Sequence, residues 1–427
     1  MLRFLVWLLI LGSLAAPVAL AIERTPRLAA APAPDSATSR ASTDLAMRIY
    51  GAASGDEAVE VEMTAAQIDG LFATAARAFP GLRGRAEIEA EAMRLTVSLS
   101  PPALEGIAWL NLVADVAPSS DGLDVRRLRL GRLPLPPALT LGLARRLADM
   151  SASEPVGSLL LGMVRGVETA PGRVHVTLDP RLGVDGQEGD PRVADSLRRL
   201  AGTGDVERIG AHYEALDAAS RRGDLATDGS TAAWFGYALK SAAAAVAEGR
   251  DPQAETSAAI LAMAAHCGRR WAVEAAVGEI PATKRDSLCR RTRLAGRGDL
   301  RMHFALSAAF EAAGNATISF GMGEVKELVD ASGDGSGFSF DDMAADRAGI
   351  RWAEAAREAA AAGPEALALV ARLSAEEAAV MPAIADLPSF MQEAAFRDRF
   401  GKVDSPAYVA QIEAIDRRID GLPLHAR

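Results

Sequence analysis

Residues 93–116 read MRLTVSLSPPALEGIAWLNLVADV, and two stretches inside them alternate in character. Met93-Arg-Leu-Thr-Val-Ser-Leu99 carries an apolar side chain at every second position, and Ala108-Trp-Leu-Asn-Leu-Val-Ala-Asp-Val116 does the same with a richer second face. Successive strand side chains point to opposite faces, so this period predicts two antiparallel strands. Residues 123–130 and Arg173–Leu178 read as two further strands, with Gly122 and Pro171-Gly172 as turns. Upstream, Thr64-Ala-Ala-Gln67 is a capping box that starts a helix carrying Ile68, Leu71, Phe72 and Ala75 on one face. Pro134-Leu-Pro-Pro137 is expected to break the sheet and open a helix over 138–150, with another short helix over 156–167.

The chain has 427 residues, more than the ~100–200 usual for one domain, so two folded units are expected behind a leader. Apolar residues make up 49% but aromatics only 5%, and the abundance of alanine favours close-packed helices. From residue 190 to 422 the pattern is helical almost throughout, interrupted by Gly, Pro and Asp, with no fixed internal repeat. The expected class is therefore α+β: a small curved antiparallel sheet with helices over 55–182, then an all-α irregular bundle over 190–422. A net charge of −10, with no basic stripe, argues against a nucleic-acid partner. Lysine occurs only at Lys240, Lys284, Lys326 and Lys402, so arginine carries nearly all the positive charge.

Residues 1–21, MLRFLVWLLILGSLAAPVALA, combine one arginine, an apolar run and the small-x-small ending Ala19-Leu20-Ala21. This is a secretory signal pattern; the run over residues 4–20 also reads as an uncleaved inner-membrane anchor. A periplasmic or other extracytoplasmic location follows as the expectation. The Ala/Pro/Ser-rich composition after it suggests a flexible linker over 22–54. In an oxidising compartment Cys267 and Cys289 can form a disulfide, worth about 3 kcal/mol by the loop-entropy model, or remain buried thiols. The pairs Arg269-Arg270 and Arg290-Arg291 beside them read as a solvated face.

Asp299 to Gly349 holds the chemistry-bearing residues. Asp299 and His303 are four apart, Glu324 and Glu327 three apart, Asp342 and Asp346 four apart, so three helices would each present one polar pair. Convergence in an alanine-rich bundle would be costly without a cation, the histidine or Arg347 to compensate the carboxylates. Asp299, His303, Glu324, Glu327, Asp342 and Asp346 are thus candidate ligands for a divalent cation, and His303, Glu327, Asp342 and Asp346 candidate acid/base groups. A second candidate is the loop Asp330, Ser332, Asp334 and Asp341, spaced like a calcium loop but lacking its usual glutamate at the twelfth position. No nucleophile elbow, phosphate loop, dinucleotide fingerprint or His-Glu-x-x-His motif is present.

The run Asp299, His303-Phe304, Glu324, Glu327, Asp330, Phe338-Ser339, Asp342, Asp346 and Gly349 resembles the motif of the YfiM-like periplasmic lipoproteins and, more loosely, the VanZ-like membrane proteins. It departs at Leu300, where the family has lysine, with Arg301 as a possible substitute. The resemblance implies an envelope role and no defined reaction. Leu128-Arg-Leu-Gly-Arg-Leu-Pro-Leu-Pro136, behind Thr64-Ala-Ala-Gln-Ile68, resembles the YpmS-like extracytoplasmic domains, which implies a curved sheet able to hold lipid or lie against a membrane. Three readings of the acidic cluster stay open: a metal-assisted hydrolase or transferase site acting on an envelope substrate, a non-catalytic binding or structural site, and a set of helix caps and surface pairs.

Overall fold

The computed structural model describes residues 19–54, 57–100, 107–136, 142, 161–179, 206–277, 279–281, 287–313 and 336–426. The protein is α+β, and its chain divides into two compact units, Met1–Leu197 and Arg198–Arg427. The leader expected over 1–21 lies outside the described residues up to residue 18. Among the described residues no helix is long and apolar enough to cross a membrane.

The first unit runs β1 (Ile22–Glu23), α1 (Ser36–Ser54), β2 (Val59–Thr64), α2 (Ala65–Ala78), β3 (Leu82–Ile88), β4 (Met93–Leu99), β5 (Trp109–Ala117), β6 (Asp124–Leu130), β7 (Leu133–Leu135), β8 (Val164–Ala170) and β9 (Arg173–Leu178). Two antiparallel sheets result, where a single one was expected. One has the order β3-β4-β5-β6-β7 with β1 on β5, and the other is β2-β9-β8. They share one core in which Ile68 of α2 meets Ala114, Val116, Val125 and Leu128 of the larger sheet and Val167 and Val174 of the smaller. Thr64 forms the expected capping box, its hydroxyl accepting from Gln67 N at 3.2 Å and its N–H donating to Gln67 Oε1 at 2.8 Å. Phe72 lies on Gly84 so closely that a Cβ there would meet the ring at 2.1 Å, so α2 covers this part of the sheet.

Three expectations are corrected here. Residues 22–54 are not a flexible linker: β1 pairs with β5, and α1 packs on α2 with Ser42 Oγ against Gly70. The small residues that suggested a spacer are what let these helices approach. The polar side of β4 and β5 explains the rest. Ser98 and Asn111 are fully buried and need partners, which Glu23, Thr25 and Arg27 supply: Asn111 Nδ2 donates to Glu23 at 2.7 Å and to the Thr25 carbonyl at 3.0 Å, and the Arg27 N–H donates to both residues at 3.1 Å. Next, Pro134 does not end the sheet but sits in edge strand β7, opposite Arg129, where a missing N–H is tolerated. Last, the end of the expected 156–167 helix is strand β8, which a two-residue turn at Pro171-Gly172 joins to β9; Gly172 takes φ +79° there.

The second unit comprises α3 (Val206–Arg222), α4 (Ala232–Ala247), α5 (Pro252–Cys267), α6 (Arg270–Val277), a 3₁₀ turn (Leu288–Arg291), α7 (Gly298–Ala312), α8 (Phe340–Ala362), α9 (Pro364–Ser374), α10 (Glu377–Val380), α11 (Glu393–Phe400) and α12 (Pro406–Asp420). Asp251 caps α5 through Ala254 N at 2.7 Å with Pro252 at its first turn, and Gly363-Pro364 separates α8 from α9. The few aromatic residues are concentrated. Phe235 stacks on Phe304 at 4.5 Å with Trp352 beside both, while Phe338, Phe340, Phe396, Phe400 and Tyr408 form a second cluster. Cys267 and Cys289 are joined in a disulfide with their Cα atoms 5.0 Å apart.

Candidate functional site

Helices α7 and α8 cross tightly, and their facing sides carry the polar residues. The crossing depends on small side chains, because Gly349 of α8 lies against the Phe304 carbonyl of α7. Within it His303 is 6% exposed, Asp342 5% and Asp346 3%, so the expected histidine and two of the expected acids converge and are withdrawn from water. His303 Nδ1 donates to Asp346 Oδ1 at 3.1 Å, and Ser307 Oγ donates to the same oxygen at 2.8 Å. His303 Nε2 lies 3.5 Å from Asp342 Oδ2. Asp346 Oδ2 is buried without a hydrogen-bond partner.

Arg297, which the sequence reading missed, organises the outer half of the cluster. Its guanidinium pairs with Asp299 at 2.6 Å, with Asp342 at 3.0 Å and with Asp341, and it lies over the Phe390 ring at 4.8 Å. These aspartates hold the guanidinium pKa above its ordinary value, Asp299 most of all through its hydrogen bond. In return Arg297 holds the Asp299 carboxyl below the usual carboxylate range. Its position two residues ahead of Asp299 gave no helical-spacing signal, since it precedes α7.

Several expected members behave otherwise. Asp299 does not face His303: its side chain is 42% exposed and turns to Arg297. Arg301 does not join this cluster: it donates to the Cys289 carbonyl at 3.0 Å, and the guanidinium beside these aspartates is that of Arg297. Arg347 pairs with Asp416 at 2.5 Å. Asp341, the last residue of the calcium-loop pattern, is 3% exposed in the first turn of α8 and bound by Arg297. Glu324, Glu327, Asp330, Ser332 and Asp334 lie outside the described residues. Among the described residues no group of three or more His, Cys, Asp or Glu side chains is placed to hold a metal ion, and two of the expected ligands, Glu324 and Glu327, are not among those residues.

Two other histidines sit in buried networks. His212 Nε2 contacts Glu255 Oε2 at 2.8 Å and its Nδ1 contacts Ser241 Oγ at 2.9 Å, tying α3, α4 and α5 together; burial outweighs Glu255 and lowers the imidazole pKa. His266 stacks on Tyr213 at 3.7 Å, its Nε2 donates to the Tyr213 carbonyl at 3.0 Å, and its Nδ1 accepts from Ser287 at 3.0 Å. In the first unit His175 meets Glu60 at 2.8 Å across β9 and β2, in keeping with a satisfied strand histidine.

Comparison with family models, with curated proteins and with solved structures finds no match for this chain.

Proposed function

We propose that the chain is an exported cell-envelope protein whose helical unit uses the His303 cluster in a non-catalytic role, as a buried polar clamp between α7 and α8. One observation carries this reading: Asp346 Oδ1 receives both His303 and Ser307 from the facing helix, so the ring proton and the carboxylate are spent on holding the crossing together. Export is supported by the leader pattern and by the Cys267–Cys289 bridge, since such bonds persist in oxidising compartments. The test is a pair of measurements on full-length chain expressed with a C-terminal tag. Thiol alkylation of envelope fractions should find both cysteines protected until reductant is added, and His303→Gln should lower the melting temperature. Recovery in the cytoplasm with free thiols would overturn export. An unchanged melting temperature, with loss of an activity on envelope substrates, would instead favour the enzyme.

That second reading, a metal-assisted hydrolase or transferase, has one observation in its favour, the unpartnered Asp346 Oδ2. A buried carboxylate oxygen without a donor is the position a divalent cation would use. Thermal stabilisation by magnesium, calcium or zinc that disappears in Asp346→Asn would support it. Lipid binding by the first unit has less support, because Ile68 and Phe72 of α2 fill part of the face that would receive an acyl chain.

A further inference from the structure

A pocket of about 240 Å³ opens in the second unit beside the Cys267–Cys289 bridge, lined by Arg269, Arg270, Trp271, Ser287, Arg290 and Arg301 among others. The arginines reach it from separate parts of the chain: the α5–α6 junction, the 3₁₀ turn and α7. In a chain of net charge −10 a guanidinium has many carboxylates to choose from. Yet among the described residues only Arg270 of the four forms an ion pair, with Glu274 at 2.8 Å. Arg301 is 9% exposed and its Nε is buried without an acceptor, as is Nη1 of Arg270. Burial first, and the neighbouring Arg290 charge second, push the Arg301 pKa down. Unmet buried donors and crowded like charges are both costly, and both are relieved by an anion.

We propose that this pocket is an anion site for a phosphate monoester dianion. Guanidinium planes match phosphate oxygens in pairs, and several of them together favour a dianion over a single carboxylate. The volume is below the ~300–1,000 Å³ of drug-sized sites, which suits a phosphoryl group with a small substituent rather than a nucleotide. Trp271, 68% exposed, offers an apolar plane for that substituent. The site is independent of the His303 clamp: Arg301 and His303 are two residues apart on α7 and so point roughly 200° apart around it. It does depend on the disulfide, because Arg301 is anchored on the Cys289 carbonyl, Arg290 follows Cys289 and Arg269 lies two residues past Cys267.

The ligand can be a free phosphomonoester or the headgroup of a lipid, and two arms separate these. The oxidised full-length chain is titrated calorimetrically with inorganic phosphate, and it is sedimented with phosphatidylcholine vesicles with and without phosphatidic acid. The proposal expects binding in at least one arm, weakened about tenfold by Arg290→Gln, which alters an exposed side chain, and left alone by the control Arg126→Gln. Absence of binding in both arms, equal binding by Arg290→Gln, or acetate binding as tightly as phosphate overturns it.

Discussion

Gly349 packs against the carbonyl of Phe304 so closely that a Cβ at this glycine would meet the oxygen at 2.3 Å. This approach brings α7 and α8 near enough for His303, a short side chain away, to reach Asp346. Gly349→Ala must therefore push the helices apart. Overpacking costs about 1–3 kcal/mol, which exceeds the ~0.5–1 kcal/mol that alanine returns through helix propensity. Urea unfolding should show Gly349→Ala to be the less stable protein, and a stability equal to or above that of the parent would contradict so close a crossing.

The bridge between Cys267 and Cys289 links the end of α5 to the 3₁₀ turn ahead of α7, at a separation of 22 residues. The chain-entropy model assigns such a loop about 3 kcal/mol. Paired Cys267→Ala and Cys289→Ala substitutions should lower stability by about that amount, and reductant should leave the double variant unchanged while destabilising the parent. A parent indifferent to reductant would show that the bond does not form.

His266 is fully buried, and burial lowers its pKa from 6.5 to about 4. Between those values the unfolded chain binds a proton that the folded chain refuses, so this contribution is complete above pH 6.5 and is lost as pH falls towards 4. The loss approaches about 3 kcal/mol for a shift of this size. His212, lowered in the same direction, adds to the slope. His266→Gln should be less stable at neutral pH but should show a flatter decline in acid, measured by urea unfolding at a series of pH values. An identical slope would contradict the assignment.

Asn111 links β5 to Glu23, Thr25 and Arg27. Asn111→Ala strands these partners, so it should cost about 1–3 kcal/mol and expose residues 22–28 to limited proteolysis. Unaltered protease resistance would mean the segment is held by other contacts.

Much of this architecture could be read from local patterns. The alternation at Met93–Leu99 and the capping box at Thr64 are local signals, and both elements form as spaced. Residues 22–54 were not legible because their order depends on distant partners, Asn111 and Gly70, while their composition resembles a spacer. Leu82–Ile88 carries glycine and two arginines, which obscures its period, yet Gly84 is there to accept Phe72. At the site, helical spacing identified His303, Asp342 and Asp346, which share a face across the crossing. It misplaced Asp299, whose partner Arg297 lies outside the helix, and it could not show that Arg301 faces the disulfide.

The clamp is tested most directly by a double-mutant cycle between His303→Gln and Asp346→Asn, read by equilibrium unfolding. Breaking a buried pair by altering one partner is costly, about 3–5 kcal/mol, so each single variant should be destabilised and the double variant should lose clearly less than the sum, a coupling above about 1 kcal/mol. Additive losses, or single variants as stable as the parent, would contradict the claim that these two side chains hold α7 to α8.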